Sequence, residues 1–159
     1  AGRRVVVCLD EVQAMPLPTL EAVRLLSNLE TEKRKLLQVV LFGQPELDAK
    51  LADASVRQIR QRIAFHYQLQ GLTRDELRAY LDHRLRVAGY RGAPLFDGAA
   101  TTGLYRASRG IPRLVNILAH KSLISAYGRG ARSVSAAHVR RAAKDTEGAR
   151  RSWFARLMR

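Results

Sequence analysis

Five consecutive apolar residues, Val5–Leu9 (VVVCL), stop at two adjacent carboxylates, Asp10 and Glu11. A continuous, β-branched run of that length predicts a strand covered on both faces, as in a parallel sheet, with Cys8 as a small core residue. After the MPLP turn, Leu20, Val23, Leu26 and Leu29 recur at helical spacing. Ser27, Glu30 and Lys33 take the opposite face, so an amphipathic helix is expected. A second short apolar run, LLQVVLFG at 36–43, ends on Gly43 and Pro45 and predicts a second buried strand. About 26 residues lie between the two runs, the length of a strand–helix–strand crossover in an α/β sheet. A short basic helix, VRQIRQRI, then precedes AFHYQL at 64–69, which reads as a third strand.

From Thr73 the pattern turns wholly helical. TRDE at 73–76 is a capping box. Leu77, Tyr80, Leu81 and Leu85 make the apolar stripe behind it, and Gly89 suits the C′ position. Asp97 can cap a helix running to about Ser108. Pro112 opens another, with Leu114, Val115, Ile117, Leu118 and Leu123 inward and Gly128 after it. Ser135 can cap a last helix, AAHVRRAAKDTE. The expected organisation is a sheet-containing part at 1–70, an all-helical part at 71–148 and a basic tail at 149–159.

Composition narrows the class. A chain of 159 residues that is 47% hydrophobic can bury a core, and no apolar run nears the roughly 20 residues of a membrane-spanning helix. The start, AGRR, is basic, but the short apolar run behind it closes on Asp-Glu, unlike a signal peptide. The abrupt entry into a strand without Met carries the expectation that an N-terminal part is missing. Charge is uneven. Residues 1–70 hold 10 basic against 8 acidic side chains, residues 71–148 hold 14 against 6, and residues 149–159 hold 4 against none. The excess in the second half favours anionic partners such as nucleic acid, nucleotide phosphates or an acidic membrane surface. His66, His83, His120 and His138 lack metal-ligand spacing, Cys8 has no disulfide partner, and Ser108 and Ser122 lack a nucleophile-elbow context.

A buried strand ending on Asp10 and Glu11 fits either a surface turn or a site that holds Mg²⁺ and activates water. Open α/β sheets bind ligands at the C-terminal ends of their strands, where these carboxylates would stand. Gln44 follows the second strand, Arg57, Arg60 and Arg62 precede the third, and Arg113 opens a helix in GIPR. The runs LLSNLETEKRKLLQVVLFGQPEL, LRVAGYRG, ASRGIPRLVNILAHK and DTEGAR resemble AAA+ ATPases. The likeness is to the branch holding the MshM ATPases of MSHA pilus biogenesis and the ExeA/GspA ATPases of type II secretion. The TniB/TnsC transposition ATPases are more distant.

That resemblance implies a P-loop α/β core in part, with parallel strands, followed by a helical lid. It implies ATP and Mg²⁺ as cofactors, with Asp10 and Glu11 as the Walker B pair. Asp10 would support the metal and Glu11 would orient the attacking water. Gln44 resembles sensor 1, and Arg113 resembles the phosphate-sensing sensor 2 of the lid. Arg62, or else Arg60 and then Arg57, resembles an arginine finger acting on a neighbouring subunit. Expected partners are further copies across the nucleotide interface and pilus or secretion assembly proteins at the inner membrane. A cytoplasmic, peripherally membrane-associated location follows. A transposition-type ATPase binding nucleic acid through the basic lid is the alternative. The phosphate loop GxxxxGK[ST] does not occur in these residues. The chain therefore resembles the C-terminal part of such an ATPase and is expected to hydrolyse ATP poorly by itself.

Overall fold

The computed structural model describes residues 5–26, 30–31, 34–35 and 37–149. The basic tail beyond Ala149 lies outside the described residues, as do Ser27, Leu29 and Lys33 of the expected helical stripe. The chain divides into two compact units, Ala1–Gln68 and Leu69–Arg159.

In the first unit, β1 (Val5–Leu9) pairs in parallel with β4 (Leu37–Leu41), from Val5 opposite Leu37 to Leu9 opposite Leu41. Pairing continues past the strand ends, where the Phe42 N–H donates to Leu9 O and the Val12 N–H to Phe42 O. Between the strands run α1 (Leu17–Leu26) and a two-residue antiparallel pair, β2 (Glu30–Thr31) with β3 (Arg34–Lys35). The expected helix is described as far as Leu26, and Glu30 lies in a strand. Leu26, a member of the expected apolar stripe, is exposed. α2 (Glu46–Leu51) and α3 (Arg57–Arg60) complete this unit around a core of Val12, Leu20, Leu47, Leu51, Val56 and Ile59.

Both strands depart from the expectation of two-sided burial. Leu9 and Leu41 pack on the core, while Val6 and Cys8 on the other face are exposed, with Val40. Helices cover one face of this sheet, so alternate residues of a continuously apolar run meet solvent. The third strand does not form. Residues 64–69 carry no strand, and Phe65, Tyr67 and Leu69 are 94%, 82% and 81% exposed. Among the described residues β1 and β4 pair only with each other, which leaves that segment's backbone no ladder to join.

The second unit holds α4 (Arg74–Val87), α5 (Gly98–Ser108), α6 (Pro112–Tyr127) and α7 (Ala136–Lys144). Thr73 and Glu76 form the capping box, and the Thr73 amide and hydroxyl, in that order, hold the Glu76 carboxyl below its ordinary range. Asp97 accepts from the Ala100 N–H. Ahead of α7 the Ser135 N–H donates to His138 Nδ1, so this buried histidine serves a helix start. Leu77, Leu104, Val115, Leu118 and Val139 centre the core. Ile117 is not inward as its hydrophobicity suggests. It shares the α6 face of Arg113, His120 and Ile124, whereas Val115, Leu118, Ser122 and Ala126 take the buried one.

At the start of this unit two backbone segments cross with no side chain between them. The Leu72 N–H donates to Gly110 O at 2.9 Å. Gly110 has φ 74°, and a Cβ there would stand 2.0 Å from Leu72 O. Gly110→Ala is therefore expected to cost about 2 kcal/mol or more, lowering the thermal midpoint by about 4 °C or more. Gly130→Ala, with φ 65° but open space around it, should cost about half that. Equal midpoints for the two variants would contradict this account of the crossing.

Candidate functional site

Parallel pairing puts the C-terminal ends of β1 and β4 at one edge of the sheet, and the chain leaves each strand there on polar residues. Asp10 and Glu11 leave β1, while Gly43 and Gln44 leave β4. All four are exposed. The Glu11 N–H folds back to Asp10 Oδ1 at 2.8 Å, and Glu11 adopts a left-handed backbone with φ 54° and ψ 36°. That conformation is uncommon for a residue with a Cβ and carries strain of order 1–3 kcal/mol. A single 3-10 turn at Val12–Ala14 follows, anchored by the fully buried Val12.

The Glu11 carboxylate is gripped on one oxygen. Oε2 accepts from Gln44 Nε2 at 3.2 Å and from Gln13 Nε2 at 2.5 Å. The Gln13 side-chain oxygen Oε1 in turn accepts from the Gln44 backbone N–H at 3.1 Å. Glu11 and Gln44, 33 positions apart, are thus in direct contact. Among the described residues, Glu11 Oε1 and Asp10 Oδ2 accept no hydrogen bond, which leaves an oxygen of each carboxylate available. Gln13 has no place in the sequence reading. Its only signal there is a neutral amide two positions beyond an acid pair.

Arg57, Arg60 and Arg62 lie in and just beyond α3, all exposed, while Val56 and Ile59 between them are buried. None of the three makes a side-chain hydrogen bond or ion pair among the described residues. Arg113 stands on the first turn of α6 in the second unit, behind Pro112, and is likewise exposed and unpaired among the described residues. The structure therefore brings Asp10, Glu11 and Gln44 to one edge, with the three arginines of the same unit on a separate surface helix and its end.

Among the described residues no group of three or more His, Cys, Asp or Glu side chains could hold a metal. Magnesium bound with nucleotide takes one or two carboxylates and fills its remaining positions with phosphate oxygens and water. Asp10, with one oxygen committed to the Glu11 N–H and one open, fits that mode. It does not fit an all-protein cage.

Comparison with known proteins places the chain. A family model described as AAA domain matches residues 1–51. General secretion pathway protein A of Aeromonas hydrophila is 43% identical over 160 residues, an alignment covering 99% of this chain. The chain spans 29% of that relative's length. Among solved structures, Cdc6p from Pyrobaculum aerophilum superposes with a TM-score of 0.66 at 17% identity, covering 89% of this chain and 39% of that one. The RuvB Holliday junction branch migration motor of Thermotoga maritima gives 0.58 at 15% identity, covering 87% of this chain and 43% of its own.

Proposed function

We propose that the chain belongs to the AAA+ class of P-loop proteins, on the branch of General secretion pathway protein A, and that it is the part of such an ATPase that follows the phosphate loop. In this reading the full-length protein binds and hydrolyses ATP in an oligomer and supports assembly of a type II secretion or pilus machine at the inner membrane. The observation that carries it is the contact of Glu11 with Gln44 where the two parallel strands end.

The roles follow from the chemistry of each side chain. Asp10 offers its open oxygen to Mg²⁺, which when bound with ATP neutralises charge on the phosphate oxygens. Glu11 holds one oxygen on two amides and presents the other, a geometry suited to orienting a water as general base. Gln44, fixed by that same contact, positions the water or a phosphate oxygen beside it. Arg62, with Arg60 as the nearby alternative, is exposed and uncommitted, as a group acting on a neighbouring copy must be. Arg113 reports on the phosphates from the helical lid. No helix among the described residues is long and apolar enough to cross a membrane.

The basic second unit supports one further reading, a nucleic-acid-binding ATPase of the transposition type. Arg74, Arg78, Arg84, Arg86, Arg140 and Arg141 are all exposed. Contacts of that kind track phosphate and weaken steeply with salt.

Without the glycine-rich loop the backbone N–H cradle, its Lys and its hydroxyl ligand to Mg²⁺ are lacking in these residues. Phosphate release by the chain alone, followed with malachite green, is expected to stay at background. Steady turnover abolished by Glu11→Gln would overturn that expectation.

A further inference from the structure

Gln13 sits at the centre of the candidate site without a role in it. Its amide group uses both ends, the NH₂ donating to Glu11 Oε2 at 2.5 Å and the oxygen accepting the Gln44 backbone N–H at 3.1 Å. Of the side chains, one carrying a donor and an acceptor on a single planar group can tie a carboxylate to a backbone amide in this way. The turn that carries it is itself pinned. Lys50, from α2, donates Nζ to the carbonyl oxygens of Gln13 and Met15 at 2.6 and 2.5 Å. Gly43 leaves the room needed, since a Cβ there would stand 3.1 Å from Gln13 Oε1 and 2.7 Å from Leu47 Cδ2.

The Glu11 side chain gains from such a partner, because it stands in solvent where a free carboxylate would sample several rotamers. We infer that Gln13 is a positioning residue for Glu11: it commits Oε2, sets the plane of the carboxylate, and so aims Oε1 outward, with Lys50 holding the turn beneath. This rests on the reading of Glu11 as the water-orienting residue.

The test uses the full-length ATPase with Gln13→Glu, which keeps the shape but cannot donate to Glu11, and Gln13→Met, which keeps the length and loses both polar ends. Each should lower kcat on the order of 10- to 100-fold, the scale of a misplaced reacting group, with KM for ATP and thermal midpoint close to wild type. In a Glu11→Gln background, single-turnover rates should show no further loss, because the residue acted through is gone. Unchanged kcat in both variants overturns the inference. So does a raised KM with a lowered midpoint, the signature of a structural role, or a loss of equal size in the two backgrounds. Wild-type turnover by Glu11→Gln alone would instead sink the role of Glu11, a failure that single variant reports separately.

Discussion

Arg62→Ala in the full-length ATPase is expected to cut kcat on the order of 10³-fold or more while leaving ATP affinity nearly unchanged. The guanidinium stays charged at any working pH and meets phosphate oxygens with paired donors, so its loss falls on the transition state. Arg62 is exposed, just beyond α3, and its side chain is uncommitted among the described residues, which leaves it available to a neighbouring copy. Mixing sharpens the expectation. In the proposed trans arrangement, Arg62→Ala and Glu11→Gln would place their lesions on opposite sides of an interface, so mixed oligomers would contain some interfaces with both groups intact. Activity should return on mixing. If the variants co-assemble and no activity returns, Arg62 does not act in trans, and the same experiment with Arg60→Ala discriminates the two arginines.

Glu11→Gln in the same protein should lower hydrolysis by roughly 10²- to 10⁴-fold, the range of a lost general base. The amide is isosteric and preserves most of the site, since Asp10 is untouched and the strand ends keep their pairing. It does change the contacts on Oε2, which accepts from two amide groups and becomes an amide or its oxygen. ATP should still bind, because in the proposed mechanism its binding groups would be Asp10 and the phosphate loop of the full-length protein. The predicted phenotype is therefore a protein that assembles with ATP and stalls.

How far the sequence reveals this arrangement depends on the range of the forces involved. Helix starts are local events: Thr73 and Asp97 mark theirs because cap and backbone donor lie within one turn, and Pro112 marks its own by its fixed φ at the first helical position. The edge where Asp10, Glu11 and Gln44 meet is legible because parallel strands must end together on the same side. Burial is not local. VVVCL has the composition of a fully covered strand, yet Val6 and Cys8 are exposed, since coverage depends on what packs over the sheet. AFHYQL alternates as a strand does but has no neighbour to pair with among the described residues. Ile117 is as apolar as Val115, and the rotation of α6 alone exposes it. Gln13 escapes notice for a related reason: its bond to Gln44 spans 31 positions, and no spacing rule announces it.

In the proposed mechanism, bound ATP is cleaved at the edge bearing Glu11 and Gln44. The most direct measurement is the identity of the nucleotide retained by full-length Glu11→Gln after incubation with ATP and Mg²⁺ and removal of free nucleotide. ATP, held long after the wild-type protein has converted its bound nucleotide to ADP, is the predicted result. Retained ADP, formed at the wild-type rate, would contradict it.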